Sequence, residues 1–253
     1  MTTINVDGPD ARGLVRVTLA RPEARNALNL EMCRELRAAF DGFGRDGDAT
    51  RAVVIAAEGP VFSAGADLKE RQGKSAEWVT ARRQAAFDAY AAIGACPVPT
   101  IAVVDGPVIG SGGEIAMACD FILGTPRASF RWPEIGWGSV GATQRLPRRI
   151  GVARAKELLF TGRKLEAAEA ISLGLITRMS DDLDALLAET LDRVLAAPVT
   201  AMRLAKHCVD RGMDTDLPGG VEIEMDAIRR SLEGDEWQEG LSAFARSGTG
   251  GKA

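Results

Sequence analysis

Two glutamates stand where proton transfer has something to work against. Glu114 closes a run of small residues, Gly110-Ser111-Gly112-Gly113, that follows the apolar strand pattern Ile101 to Val104 and opens a short apolar helix, Ile115 to Cys119. A strand that runs through a glycine-rich turn into a helix leaves backbone N–H groups with no intrahelical partner. Such a corner binds an anion, or a carbonyl oxygen that is becoming one. Glu134 lies further on, in a Pro- and Gly-rich loop between Trp132 and Trp137. His207 is the only histidine, in an amphipathic segment near the C-terminus, and a lone helical histidine is more often a packed or surface residue than a catalyst. The G-x-S-x-G elbow of hydrolases is absent, because Ile109 stands two places before Ser111. Acid–base work therefore falls to carboxylates, backbone groups, lysine or the single tyrosine, Tyr90.

The turn before Glu114 has a twin. Glu58 to Leu68 reads EGPVFSAGADL and Asp105 to Ile115 reads DGPVIGSGGEI, an ungapped match of acid, Gly, Pro, Val, apolar, four small residues, acid and aliphatic. Each copy follows an apolar strand pattern. A repeated strand–turn–helix unit places two such turns side by side and offers two N–H donors to one oxygen. Each donor of that kind is typically worth about a hundredfold to a thousandfold in rate.

The elements that must hold these turns read as a mixed α/β body. Leu14 to Leu19 alternates as a half-buried strand, and Ala52 to Ala57 is a continuous apolar run, as for a strand buried on both faces. Asn29 is a candidate N-cap for a helix through Met32, Leu36 and Phe40. Ala76 to Ile93 is helical, with Trp78, Ala81, Ala85, Ala89 and Ala92 on one face. Phe121 to Leu123 and Ala128 to Arg131 are short strands, and Thr143 starts a helix. Beyond Gly151 helices dominate: 152–160, 166–173, 181–196, 199–211 and 221–232, the last with Val221, Met225, Ile228 and Leu232 on one face. The tail 247–253 reads as mobile. The divisions are a core over 1–195 and a helical region over 196–253.

Composition narrows the function classes. At 253 residues with 46% hydrophobic and 26% charged residues the chain is long enough for a sizeable core and ordinary for a globular protein. A net charge of −4 argues against nucleic acid or an anionic membrane as partner. Cys33, Cys96, Cys119 and Cys208 form no C-x-x-C pair, so they read as incidental thiols of a reducing cytoplasm, and no His/carboxylate set has metal spacing. The N-terminus lacks the basic and apolar regions of a signal peptide, and no apolar run spans a membrane. Gly136-x-Gly138-x-x-Gly141 matches the dinucleotide fingerprint but follows Pro133-Glu134 rather than a strand, so it reads as a chance hit. Lys69, Arg71, Lys74, Arg82 and Arg83, after the first turn, read as a solvated helix face.

Several further pieces extend the pattern over nearly the whole chain. Arg21-Pro22 with Asn26-Ala27-Leu28, Phe62 to Glu70, Gly106 to Asp120, Pro133-Glu134, Thr143 to Leu146, Thr161-Gly162 with Ala168 to Ala170, and Gly174 to Ile176 occur in order. In this order and spacing they resemble the crotonases, the enoyl-CoA hydratase/isomerase superfamily, and most of all its hydratases. The resemblance implies a spiral of repeated ββα units with a C-terminal helical trimerisation region. It implies a homotrimer or a dimer of trimers, acyl-CoA thioesters as ligands, and no cofactor beyond the CoA of the substrate. CoA contacts are implied at Ala24, Arg25, Ala64, Asp67, Leu68 and Lys69, and oxyanion donors at the backbone N–H of Ala66 and Ser111. Glu114 becomes the base that takes a proton from water, and Glu134 the acid that supplies one to C2 of a 2-enoyl-CoA. Isomerisation, decarboxylation and a non-catalytic CoA-binding scaffold are the alternatives.

Three features depart from the pattern, one being the stretch after Phe244, which lacks the usual basic, Pro-containing ending that would contact CoA. Ser111 stands where glycine is usual, its hydroxyl free to cap the helix or crowd the pocket. The segment between Gly138 and Thr143 is short, which leaves Glu134 open to displacement. Trp78, Phe87 and Trp137 are the candidate pocket walls.

Overall fold

The computed structural model describes residues 2–45 and 47–246. The tail expected to be mobile, 247–253, lies outside them. Internal contacts separate two units, Met1–Val194 and Leu195–Ala253.

The first unit opens with β1 (Ile4–Asp7), β2 (Leu14–Leu19), α1 (Leu30–Gly42) and β3 (Ala52–Ala57). It continues through α2 (Leu68–Arg71), α3 (Ala76–Gly94), β4 (Thr100–Val104), β5 (Pro107–Ile109) and α4 (Ser111–Ala118). Then come β6 (Phe121–Gly124), β7 (Ser129–Arg131), a 3-10 turn at Glu134–Trp137, α5 (Arg145–Ile150) and α6 (Val152–Thr161). β8 (Leu165–Glu166), α7 (Ala167–Ser172), β9 (Arg178–Met179) and α8 (Leu183–Ala196) follow. A six-stranded sheet has the order β1-β2-β3-β4-β6-β9, parallel except for β1 on β2. A second sheet has the order β5-β7-β8.

The alternation of the two sheets is the repeat seen in the sequence. β4 lies in the large sheet and β5 in the small one before α4 begins; β6 and β7 do the same before the 3-10 turn. In the first copy β3 lies in the large sheet, and Ser63 forms a single parallel bridge to Val108 of β5. The chain is thus an α/β spiral of ββα turns.

Local chemistry accounts for the elements. Val53, Val54 and Ile55 of β3 are all fully buried, as an apolar run between parallel neighbours requires. Asn29 caps α1, its Oδ1 accepting from the Met32 N–H at 2.9 Å. The helix expected from Thr143 starts at Arg145. The buried face of α3 is Arg82, Ala86, Ala89, Tyr90 and Ile93, rotated from the expected stripe, of which only Ala89 is buried. Alanines on every side of α3 gave the pattern no clear direction, and the tertiary partners of Arg82 and Tyr90 decide it.

The second unit holds α9 (Val199–Gly212), α10 (Leu217–Ser231) and α11 (Glu236–Arg246). α10 starts four residues before the expected Val221, because the Asp216 carboxylate caps it by accepting from the Gly219 N–H at 3.0 Å. Val221, Met225, Ile228 and Leu232 remain exposed. His207 lies on the exposed side of α9. No helix is long and apolar enough to cross a membrane among the described residues.

One buried side chain ties the first turn to the sheet. Asn26 is fully buried with φ +52°. Its Oδ1 accepts from the Arg21 N–H at 2.9 Å, and its Nδ2 donates to the carbonyls of Glu58 and Val61 at 2.8 and 2.9 Å. Asn26→Ala strands these backbone groups and is expected to lower stability by about 3 kcal/mol or more, read as a shift of the urea midpoint with unchanged slope.

Candidate active site

The two matched turns meet. The Ile109 N–H donates to the Ser63 carbonyl at 2.9 Å, and a Cβ on Gly65 would lie 2.7 Å from the Ile109 carbonyl oxygen. Gly65, at φ +86°, is therefore held by both conformation and space. In the first turn the Leu28 N–H donates to the Gly65 carbonyl at 2.7 Å and the Leu28 carbonyl accepts from the Asp67 N–H at 2.9 Å. That ladder passes over Ala66 and leaves its N–H outside it. In the second turn Gly110, at φ +49°, donates its N–H to the Arg131 carbonyl and accepts from the N–H groups of Gly113 and Glu114. Ser111 is the first residue of α4, so its N–H precedes the first intrahelical bond.

Ala66, Ser111 and Glu134 line one cavity of about 120 Å³, with Leu68, Arg71 and Arg83 also in its wall. The short loop does not carry Glu134 away. Its carboxyl is wedged between two glycines: a Cβ on Gly110 would lie 2.5 Å from Oε1, and one on Gly141 2.8 Å. Oε2 is buried without a hydrogen-bond partner. Burial, the largest influence, pushes this carboxyl above its ordinary value, and the charge of Glu114 adds to the rise against the pull of Arg83 and Arg71.

Glu114 is buried in α4 and takes the Arg145 guanidinium at 3.1 Å. It is not among the residues lining that cavity. The Arg145 guanidinium carbon also lies 5.5 Å from the centre of the Tyr90 ring. Burial pushes the Tyr90 phenol up, and the Ser111 side chain opposes that rise. The N-cap of α4 is Gly110, with no side-chain cap.

The remaining sequence candidates fall on or near the first turn. The Arg25 carbonyl accepts from the Ala64 N–H at 2.9 Å, which joins the Ala24–Arg25 corner to the first turn. Asp67 caps α2, accepts from the N–H groups of Lys69 and Glu70, and pairs with Arg21 at 3.1 Å. Leu68 and Lys69 are exposed. Of the expected pocket walls only Trp137 lines the cavity; Phe87 packs edge-on against Tyr90, and Lys74 sits over the Trp78 ring. The fingerprint glycines 136 and 138 belong to a 3-10 turn and its left-handed cap, not to a strand-to-helix turn.

Of the basic residues after the first turn, Lys69 and Lys74 are exposed as the sequence suggested, but the three arginines are not a solvated face. Arg82 is fully buried and donates to the Leu28 carbonyl, while Arg71 and Arg83 face the cavity. The placement of Arg82 and Arg83 depends on the rotation of α3, which no periodicity carried. Arg145, 31 residues from Glu114 in sequence, had no local signal at all.

A larger cavity of about 570 Å³ opens beside the ends of β3 and β4, lined in part by Asp105, Arg127, Asp181 and Asp182. It is lined by neither Ala66 nor Ser111 and by neither glutamate. The Cys33 thiol, pushed up to about 11 by burial, is not a nucleophile there.

Known proteins with these features were compared with the chain. The profile of the enoyl-CoA hydratase/isomerase family matches residues 10–249. A mouse protein named enoyl-CoA hydratase domain-containing protein 2, mitochondrial, is 37% identical over 246 residues, covering 94% of this chain and 83% of its own. The crystal structure of an enoyl-CoA hydratase from Bacillus anthracis superposes with a TM-score of 0.92 at 33% identity, covering 97% of this chain and 96% of its own. A Thermobifida fusca structure solved in complex with acetoacetyl-CoA superposes at 0.82 with 31% identity, covering 92% and 95%. Paired donor turns, alternating sheets and a match along almost the entire sequence lead to one assignment: this chain belongs to the enoyl-CoA hydratase/isomerase family.

Proposed function

We propose that the chain adds water across the 2,3 double bond of a 2-enoyl-CoA. The observation that carries this is the cavity itself. The Ala66 and Ser111 turns and a carboxyl with an unpartnered oxygen converge on it. The acetoacetyl-CoA bound in the Thermobifida fusca relative supports a thioester as the ligand.

In this reading the thioester carbonyl lies between the N–H groups of Ala66 and Ser111. Water attacks C3, the carbonyl becomes enolate-like, and the fixed donors stabilise the charge as it forms. Glu114 takes the proton from water. Glu134, whose hold on a proton is strengthened by burial, delivers one to C2. The net change is O–H to C3 and H to C2, with both carboxyls restored when a proton passes back between them. Ala24, Arg25, Ala64, Asp67, Leu68 and Lys69 form the CoA side of the site. The helical region 196–253 supports a homotrimer or dimer of trimers, and the protein works in the cytoplasm without a further cofactor.

A second reading has one specific observation behind it. Glu114 is held by Arg145 outside the cavity lining. A site with Glu134 alone against the substrate suits double-bond isomerisation, in which one group moves a proton along the acyl chain.

Loss of the conjugated thioester absorbance on a panel of 2-enoyl-CoAs tests hydration directly; no loss with any member rules it out. Glu114→Gln and Glu134→Gln are each expected to lower kcat by about 10²–10⁴-fold. If Glu114→Gln instead keeps full turnover of a 3-enoyl-CoA to its 2-enoyl isomer, the isomerase reading replaces the first.

The raised carboxyl of Glu134 also predicts a pH dependence of stability. The folded state holds this proton more tightly than the unfolded chain, so stability is lost as pH rises from the unfolded value of about 4 through the folded one. Glu134→Gln lacks that loss. Its Tm relative to the unmodified chain is expected to climb as pH rises across this range, and a difference independent of pH contradicts the assignment.

A further inference from the structure

The cavity that holds the reacting centre has charge it does not use. Arg71 and Arg83 both line it. Arg83 donates to the Ser139 hydroxyl at 3.0 Å and to the Val140 carbonyl, which are neutral acceptors. The Arg71 Nε is buried with no hydrogen-bond partner. Among the described residues neither guanidinium pairs with a carboxylate. Arg82 lies behind them, and its nearest carboxylate, Glu70 at 3.6 Å, already accepts the Leu30 N–H through both oxygens at 2.9 and 3.1 Å. The wall therefore carries two guanidiniums, Arg71 and Arg83, with Arg82 outside the lining and paired with Glu70. Burial and the like charges of Arg82 and Arg83 push the Arg71 guanidinium down from its ordinary value, against the pull of Glu70. Glu134 does not supply one: its Oε2 has no partner, and burial favours its neutral form.

An unpaired guanidinium in a half-enclosed cavity is costly unless a ligand brings the anion. The phosphates of CoA are not that anion, because the long pantetheine arm separates them from the thioester. Past the CoA side at Ala64 and Leu68, what reaches Ala66, Ser111 and Glu134 is the carbonyl and its acyl chain. At about 120 Å³ the cavity is a small one. It suits a short acyl group with a polar end better than a long apolar one.

We propose that Arg71, supported by Arg83, is a specificity-determining residue that receives a carboxylate at the far end of a short acyl chain, so that the preferred substrates are 2-enoyl-CoAs of dicarboxylic acids. This rests on the hydratase reading for its chemistry but not for its binding. Arg71 forms a charge-assisted, bidentate-capable contact with the distal carboxylate, and the uncharged isostere leaves it unpaired.

The test compares molecules that differ only in that group. Glutaconyl-CoA and pent-2-enoyl-CoA report turnover, and glutaryl-CoA and pentanoyl-CoA report binding by calorimetry without any chemistry. The dicarboxylyl member of each pair is expected to be favoured by at least about tenfold, the effect of one hydrogen-bonded charge. Arg71→Met is expected to collapse both preferences, and Arg71→Lys to restore part of them. Equal or better handling of the uncharged esters by the unmodified protein overturns the proposal and leaves hydration standing. Tenfold tighter glutaryl-CoA binding with no hydration of either enoyl ester supports the carboxylate subsite and removes the hydratase reading.

Discussion

The structure depends on one backbone contact, the Ile109 N–H to the Ser63 carbonyl, which locks two copies of the same turn side by side. Neither turn alone makes a site. Together they bring the first residue of α4 and the skipped N–H of Ala66 to one place. Everything around the contact is cleared for it. Gly65 and Gly112 have no room for a side chain, since a Cβ on Gly112 would lie 2.7 Å from the Ser63 Cβ. Ser63 is itself anchored, its hydroxyl donating to the Asn26 carbonyl at 2.7 Å. The apolar strands β3 and β4 supply the stiffness, and the glycines supply the approach.

The two glutamates occupy opposite environments, and their difference gives the site its direction. Glu114 is paired with a guanidinium within the helical layer, whereas Glu134 is wedged between glycines with one oxygen unsatisfied. Carboxyls held apart in this way suit opposite halves of a proton transfer. A relay built from two solvated glutamates would not distinguish them.

Much of this was legible in the residues themselves. The ungapped repeat announced two adjacent turns, and the alternating or continuous apolar runs marked β2 and β3 to the residue. Asn29 was placed as an N-cap and caps α1, and Glu134 lines the same cavity as Ala66 and Ser111. What could not be read was anything set by rotation or by long-range partners. The alanine-rich α3 shows no strong apolar face, so burial of Arg82 and the inward position of Arg83 were hidden. Arg145 reaches Glu114 across 31 residues of sequence, and α11 lay beyond the last strong periodic pattern. Short β5 was concealed inside a segment that reads as a turn.

The position of α3 has a wider consequence. Arg82 holds the Leu28 carbonyl beside the first turn, Arg83 holds Ser139 and Val140 in the loop of Glu134, and Tyr90 meets Ser111 at the second turn. One rod thus touches all three loops around the cavity. A small roll of α3 would move the Ala66 turn, the Ser111 turn and the loop of Glu134 in concert. The helix acts as a shared axle: selection for a new acyl group here cannot retune the pocket without also resetting the machinery that reacts with it.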